Sequence, residues 1–260
     1  MDKTWIRGKH AIILGASGRI GAEISRRLTG RCRKLTLISQ NTNNRLKDLK
    51  DELDAKETWT EINTVIMDVM DIEKMKSLIS QIYKNQDQID IFIYCVGGSN
   101  VFEKLENIPS KEIQKVIDIN TTAPILWLNW LLPFMVENNI KSDEKKKGHI
   151  LLLSSRSGER ASPMLSVYSA SKGAIELFAD ALKKEYGKSD IVFTLISPGG
   201  IKYPYFSENW SIERKDLYNK QSLDVEIAVE PIISSLEWEF ATNKISYESI
   251  DQWHYEQGIL

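Results

Sequence analysis

Short runs of apolar, β-forming residues recur along this chain, each separated from the next by a longer amphipathic stretch. The runs at 10–14, 35–39, 63–67, 89–95, 149–154 and 191–196 read as strands, and the stretches at 20–28, 45–55, 72–85, 111–137 and 167–186 read as helices. The strand runs are apolar nearly throughout, the pattern of strands covered on both faces. Such strands alternating with helices predict an α/β fold, a doubly wound parallel sheet with helices on both sides. Proline disfavours helix in the residue before it, so the long helix from Lys111 is expected to break or bend near 120–124. No internal repeat or low-complexity tract interrupts the alternation, and residues 1–260 are expected to form a single domain.

Charge and apolar content exclude several classes of function. A net charge of −2 gives no footprint for nucleic acid. The first ten residues contain no apolar signal region, so export is not expected. The most apolar stretch, 123–136, includes Asn129 and is too short to span a bilayer. It reads as a buried or interface helix. With Cys32 and Cys95 as the only cysteines, a disulfide framework is not expected either. A cytoplasmic chain with no membrane partner is the expectation, and the charge run 141–147 reads as a solvated loop.

The first strand runs directly into Gly15-Ala16-Ser17-Gly18-Arg19-Ile20-Gly21, which opens a helix. Glycines there allow a tight turn and close backbone approach, while a helix N-terminus offers unpaired amides and the positive end of its dipole. That combination predicts a site for a dinucleotide pyrophosphate. An NAD site usually places an acid at the end of the second strand, on the ribose 2′-hydroxyl. Here that region reads Ser39-Gln40-Asn41-Thr42-Asn43-Asn44, with no acid to repel a 2′-phosphate and with Arg19 and Arg45 nearby. NADP(H) is therefore expected in preference to NAD(H). Asp68, closing the third strand, either accepts from the adenine amino group or caps the segment after the strand. The Gly97-Gly98 turn after the fourth strand permits close approach by a ligand.

Downstream, Ser155 is followed thirteen residues later by Tyr168-Ser169-Ala170-Ser171-Lys172. Tyr168 and Lys172, four apart, share one face of a helix. A lysine ammonium beside a phenol favours the phenolate. With Ser155 holding a substrate oxygen, the set suits proton transfer between an alcohol and a carbonyl. His10, His149 and His254 are scattered without ligand spacing, and no metal is expected.

Taken in order, the glycine turn, Asp68, 90–97, Asn120, Ser155, Tyr168, Lys172 and Pro198-Gly199 resemble the classical short-chain dehydrogenase/reductase family, over about residues 8–205. The resemblance implies a Rossmann fold and an NAD(P)-dependent oxidoreductase interconverting a carbonyl and a secondary alcohol. Tyr168 would be the general acid/base, Lys172 its pKa-lowering partner and ribose ligand, and Ser155 the holder of the substrate oxygen. Asn120 would position a water in the proton relay behind the lysine. Ser154 would point the other way. Cofactor contacts would come from Gly15, Ser17, Gly18, Arg19, Ile20 and Gly21, from Gln40, Asp68, Val69, Cys95 and Gly97, from Tyr168 and Lys172 themselves, and from Pro198, Gly199 and Ile201. A small-molecule carbonyl or alcohol is the implied partner, and a homo-oligomer (dimer or tetramer) the implied assembly. The 120–136 helix, with Trp127 and Trp130, is a candidate interface, or is buried within the domain.

Four features depart from the family pattern. Arg19 takes the place of a glycine, so the turn reads Gly15-x-x-Gly18-x-x-Gly21, the spacing of the extended branch that includes epimerases and dehydratases. Tyr94-Cys95-Val96-Gly97 replaces Asn-Asn-Ala-Gly, so the asparagine bonds that brace the sheet there must be replaced. Tyr203 stands where a threonine is usual, and the 250–260 ending lacks the usual glycine-containing strand. The aromatic segment 201–218, with Tyr203, Tyr205, Phe206, Trp210 and Tyr218, is expected to be a substrate lid, or a surface helix packed on the domain. Gly98 to Phe102 and Arg156 to Met164 would form the other pocket walls, and Arg156 and Arg160 would favour an anionic substrate unless they simply face solvent. Two other functions fit the same residues: a redox-neutral epimerase or dehydratase, and a non-enzymatic cofactor-binding regulator.

Overall fold

The computed structural model describes residues 5–40, 44–85, 87–99, 101–139, 146–202, 212, 220, 222–237 and 244–247. Seven strands form one sheet: β1 (His10–Leu14), β2 (Lys34–Ser39), β3 (Glu61–Ile66), β4 (Ile91–Tyr94), β5 (Gly148–Leu153), β6 (Ile191–Pro198) and β7 (Ile245–Tyr247). Their order is β3-β2-β1-β4-β5-β6-β7, and every pairing is parallel. The chain leaves β1 in one direction to build β2 and β3 and in the other to build β4 onward. The β1/β4 boundary is thus a topological switch point, where open α/β sheets bind ligands beyond the strand carboxyl ends.

The crossovers run through α1 (Arg19–Leu28), α2 (Arg45–Asp54), α3 (Ile72–Lys84), α4 (Ser110–Ile117), α5 (Ala123–Asn139), α6 (Arg156–Glu159), α7 (Ser166–Glu185) and α8 (Val225–Glu237). Side chains alternate across a strand, so adjacent residues serve different cores. Ile13, Ile91 and Ile93 pack with Ile24 and Leu28 of α1, Leu49 of α2 and Ile232 of α8. Ile12, Phe92 and Tyr94 pack on the other face with Ile79 of α3, Trp127 and Leu131 of α5, and Ile175 of α7. β1, β5 and β6 are buried along their whole length, whereas β3, at the sheet edge, exposes Glu61, Asn63 and Ile66.

The doubly wound sheet agrees with the sequence expectation, and most elements agree to within two residues. The helix does not break near 120–124. Residues Asp118–Thr122 form a π-helical turn that joins α4 to α5. α6, α8 and β7 were not expected. Pro231 inside α8 disguises that helix, and β7 has only three residues to signal it. Trp127 is fully buried, its indole N–H donating to Val69 O at 2.9 Å, so it belongs to the core of this chain rather than to an interface. The 201–218 lid and the 250–260 ending fall largely or wholly outside the described residues. Among the described residues no helix is long and apolar enough to cross a membrane.

Candidate active site

All the expected site residues lie at or just beyond the carboxyl edge of the sheet or on the helices beyond it. β1 ends at Leu14, and Gly15 turns the chain with φ +82. A Cβ on Gly15 would lie 3.0 Å from Val96 N, so the first turn and the β4 turn are packed backbone to backbone. Gly21 is constrained more severely, because a Cβ there would sit 2.3 Å from Gly15 O. α1 begins with Gly18 as N-cap, no side chain capping it and no acid in its first turn. Its N-terminal amides therefore face an uncovered, positively polarised end. Arg19, the first residue of α1, is engaged with other groups of the chain. Ile20 turns inward and packs on the core beneath. These features fit an anionic dinucleotide.

Beside this cradle, the Ser17 and Ser39 hydroxyls are hydrogen-bonded to each other. Gln40, just past β2, donates through Nε2 to Asp68 Oδ2 at 2.6 Å. Asp68 lies two residues beyond β3, and its Oδ1 accepts from Met70 N at 2.8 Å. The structure thus shows Asp68 capping its own turn, while Gln40 and Asp68 stand together at one exposed rim. Val69 is buried.

The second half of the site is built on β4, β5 and α7. Lys172 is buried, and its ammonium donates to Leu153 O, the last carbonyl of β5, at 2.8 Å. It lies 5.9 Å from the centre of the Tyr168 ring, one helical turn earlier. Burial pulls the ammonium from its ordinary 10.5 down to about 8, slightly countered by the neighbouring Cys95. The Cys95 thiol is itself pushed up to about 12 by burial and stays neutral. Ser155 is the N-cap of α6, its Oγ accepting from Ser157 N at 3.2 Å. Ser154 turns to α7 instead, donating to Glu176 Oε1 at 3.0 Å.

Asn120 sits in the π turn, 1 % exposed. Its amide closes a two-way bond with Gly98, accepting from Gly98 N and donating to Gly98 O, each at 3.0 Å. Gly97 (φ +150) separates Asn120 from Lys172. A Cβ there would lie 2.5 Å from Asn120 Oδ1 and 3.0 Å from Lys172 Nζ. Thr121 Oγ1 donates to Ser171 O at 3.0 Å and locks the turn onto α7. Pro198 and Gly199 close β6, with Gly199 N donating to Tyr247 O at 2.7 Å, and Ile201 forms an isolated bridge with Leu223.

Sequence reasoning missed the support behind these residues. Gly158 of α6 crosses α7 so closely that a Cβ would lie 2.7 Å from Glu176 Oε1 and 2.9 Å from the Lys172 carbonyl carbon. Lys244 bridges Glu159 and Glu176 at 2.6 and 2.7 Å. Arg156 pairs with Glu159. Only the Ser-x-x-Gly spacing of 155–158 hinted at the close crossing.

Tyr168 lines a small, solvent-open cavity together with Val101, Ile108, Val116, Met164 and Leu165, with Glu112 the charged residue of its described wall. Among the described residues no group of three His, Cys, Asp or Glu side chains could hold a metal ion.

Comparison with known proteins places this arrangement among relatives. A family model described as short chain dehydrogenase matches residues 9–214. Dehydrogenase/reductase SDR family member 7B of Xenopus laevis is 31% identical over 202 residues, covering 76% of this chain. The chain spans 60% of that relative's length. An uncharacterized oxidoreductase of Staphylococcus haemolyticus is 28% identical over 236 residues, covering 90% of this chain and 93% of the relative. Among solved structures, NAD+-bound xylitol dehydrogenase matches with a TM-score of 0.79 at 20% identity, covering 93% of this chain and 98% of that one. An alcohol dehydrogenase from the archaeon Thermococcus sibiricus, complexed with 5-hydroxy-NADP, matches with a TM-score of 0.77 at 20% identity, covering 93% and 96%. At these identities the two structures speak to the fold alone.

Proposed function

Because the chain belongs to the short-chain dehydrogenase family, we propose that it is an NAD(P)-dependent oxidoreductase that interconverts a carbonyl and a secondary alcohol, with Tyr168 as general acid/base. The observation that carries the proposal is the buried Lys172 ammonium, bonded to Leu153 O and set one turn from Tyr168. A cation is costly to bury, and a purely structural position at the end of β5 would not need one.

The dinucleotide, when bound, supplies the hydride donor or acceptor. The glycine turn and the N-terminus of α1 would hold its pyrophosphate, and Gly97, Gly199 and Lys172 would flank its reactive end. The rest of the chemistry belongs to the chain. Ser155 Oγ already accepts from Ser157 N, which leaves its hydroxyl proton to donate to a carbonyl oxygen. Tyr168 gives its phenolic proton to that oxygen as negative charge develops. Lys172 is still mostly charged at neutral pH and stabilises the phenolate left behind. Asn120 lies behind the lysine, where the proton is returned from solvent.

The cofactor reading remains NADP(H) over NAD(H). It rests on the absence of an acid at 39–44, with Gln40 at the rim. The pocket chemistry favours an uncharged or cationic carbonyl compound over an anionic one, since Glu112 lines the cavity and Arg156 is committed to Glu159. A cytoplasmic homo-oligomer is the accompanying proposal.

The test is a screen of ketones, sugars and acyl thioesters with both cofactors, and then Tyr168→Phe on the best substrate. Turnover should fall by about 10²–10⁴-fold, the worth of a positioned general acid, while NADPH binding persists. A variant that kept its turnover would refute the assignment. Turnover with no net change in reduced cofactor would favour the redox-neutral reading that the Gly15-x-x-Gly18-x-x-Gly21 spacing suggests.

A further inference from the structure

Tyr94 closes β4 and is 2 % exposed. Its ring packs in the core beneath α5, and its hydroxyl donates to Ile119 O at 2.7 Å. The need for that bond arises from the backbone. In an α-helix the Ile119 carbonyl would accept from the N–H of residue 123. The Ala123 N–H is given instead to Asp118 O, one residue further back, which is the π register. In that register the donor for Ile119 O would be residue 124, and residue 124 is a proline with no N–H. The π turn thus leaves the Ile119 carbonyl without a helical donor, and the Tyr94 hydroxyl takes that place.

A carbonyl in the last turn of α4 also accepts from a side chain. Val116 O accepts from Asn120 Nδ2 at 2.8 Å. Two side chains, one from the sheet and one from the turn itself, therefore donate to carbonyls just before the turn and within it. In this register Asn120 faces Gly98 and stands across Gly97 from Lys172. Burial pushes the Tyr94 phenol well above its ordinary value, so it remains a donor at any working pH.

We infer that Tyr94 is a positioning residue for proton transfer: its hydroxyl stabilises the π turn that aims Asn120 at Gly98 and Lys172. This rests on the functional reading of Asn120 and Lys172 given above. Tyr94 stands where the family pattern has an asparagine, and it supplies from strand to helix the brace that this substitution removed.

The experiment uses the full chain and needs no substrate. Lys172 is titrated by NMR through its Cε signal, assigned with Lys172→Met, in wild type, Tyr94→Phe, Asn120→Ala and the double variant. Amide exchange across 116–124 is monitored in parallel. Tyr94→Phe keeps the ring in the core and removes one hydrogen bond, so exchange in the turn should quicken roughly tenfold. The Lys172 midpoint should move down, since an acceptor dipole leaves the ammonium. Asn120→Ala should move it the same way, and Tyr94→Phe should add nothing further in that background, as coupling through one residue requires. Tyr94→Leu, which also removes the ring, separates lost packing from the lost bond. If Tyr94→Phe leaves Lys172 unmoved while Asn120→Ala shifts it, or if the two shifts add, the positioning role is overturned. If Asn120→Ala also leaves Lys172 unmoved, the functional reading of Asn120 fails and the inference fails with it.

Discussion

Lys172 holds a charge where burial opposes it, and this dictates how stability must vary with pH. The ordinary value of 10.5 falls to about 8 in the folded chain, with burial as the main cause. Below pH 8 both the folded and unfolded chains hold the proton, and the full cost of the buried cation is present. Between 8 and 10.5 the unfolded chain keeps the proton that the folded chain has released, so stability rises with pH. Above 10.5 neither state holds it and the penalty is gone. At 1.36 kcal/mol per pH unit the whole effect is about 3 kcal/mol. The neighbouring phenol must be removed from the comparison, so the pair to measure is Tyr168→Phe against Tyr168→Phe/Lys172→Met. Cys95 stays neutral through this window and is common to both. Urea unfolding at intervals from about pH 7 to 10.5 gives the difference in stability directly. The lysine-containing protein should gain about 3 kcal/mol on its partner across the window. A difference that stays constant would show that the ammonium is not desolvated, and the argument that its cost marks a functional position would fall.

Gly97→Ala should be far more damaging than Gly98→Ala, although both glycines have positive φ, at +150 and +132. A Cβ on Gly97 meets Asn120 Oδ1 at 2.5 Å and Lys172 Nζ at 3.0 Å, whereas one on Gly98 meets nothing within 4 Å. Backbone strain of about 1–3 kcal/mol is common to both; thermal unfolding and NADPH binding should show the additional loss at Gly97 alone, and equal losses would refute the packing argument. At the opposite end of the sheet, His10 is buried against Thr36 Oγ1 and Gln88 O, and burial lowers its imidazole from 6.5 to about 4. The unfolded chain binds that proton first, so stability should fall by about 3 kcal/mol as pH drops through this interval, and His10→Asn should flatten the fall in urea midpoints.

What could be read from residues alone was whatever repeats locally. The buried strands announced themselves as unbroken apolar runs, and Gly15 to Gly21 was placed by its two flanks. The two adjacent serines illustrate the limit. Strand alternation says that Ser154 and Ser155 face apart, but it cannot say that Glu176 awaits one and the α6 N-terminus the other. Asp68 could be read as a ligand for the cofactor or as a cap, and only the fold shows its carboxylate accepting from Met70 N and Gln40. The irregularity near 120–124 was visible through Pro124, yet proline explains only why a helical bond is missing. The register that results depends on a hydroxyl 25 residues earlier in the chain, on a strand that the sequence marks as atypical at that very residue. The departure at Tyr94 and the π turn at Asn120 are therefore one feature seen twice. The proline removes a donor from the helix, the tyrosine restores it from the sheet, and the asparagine between them is presented to the lysine.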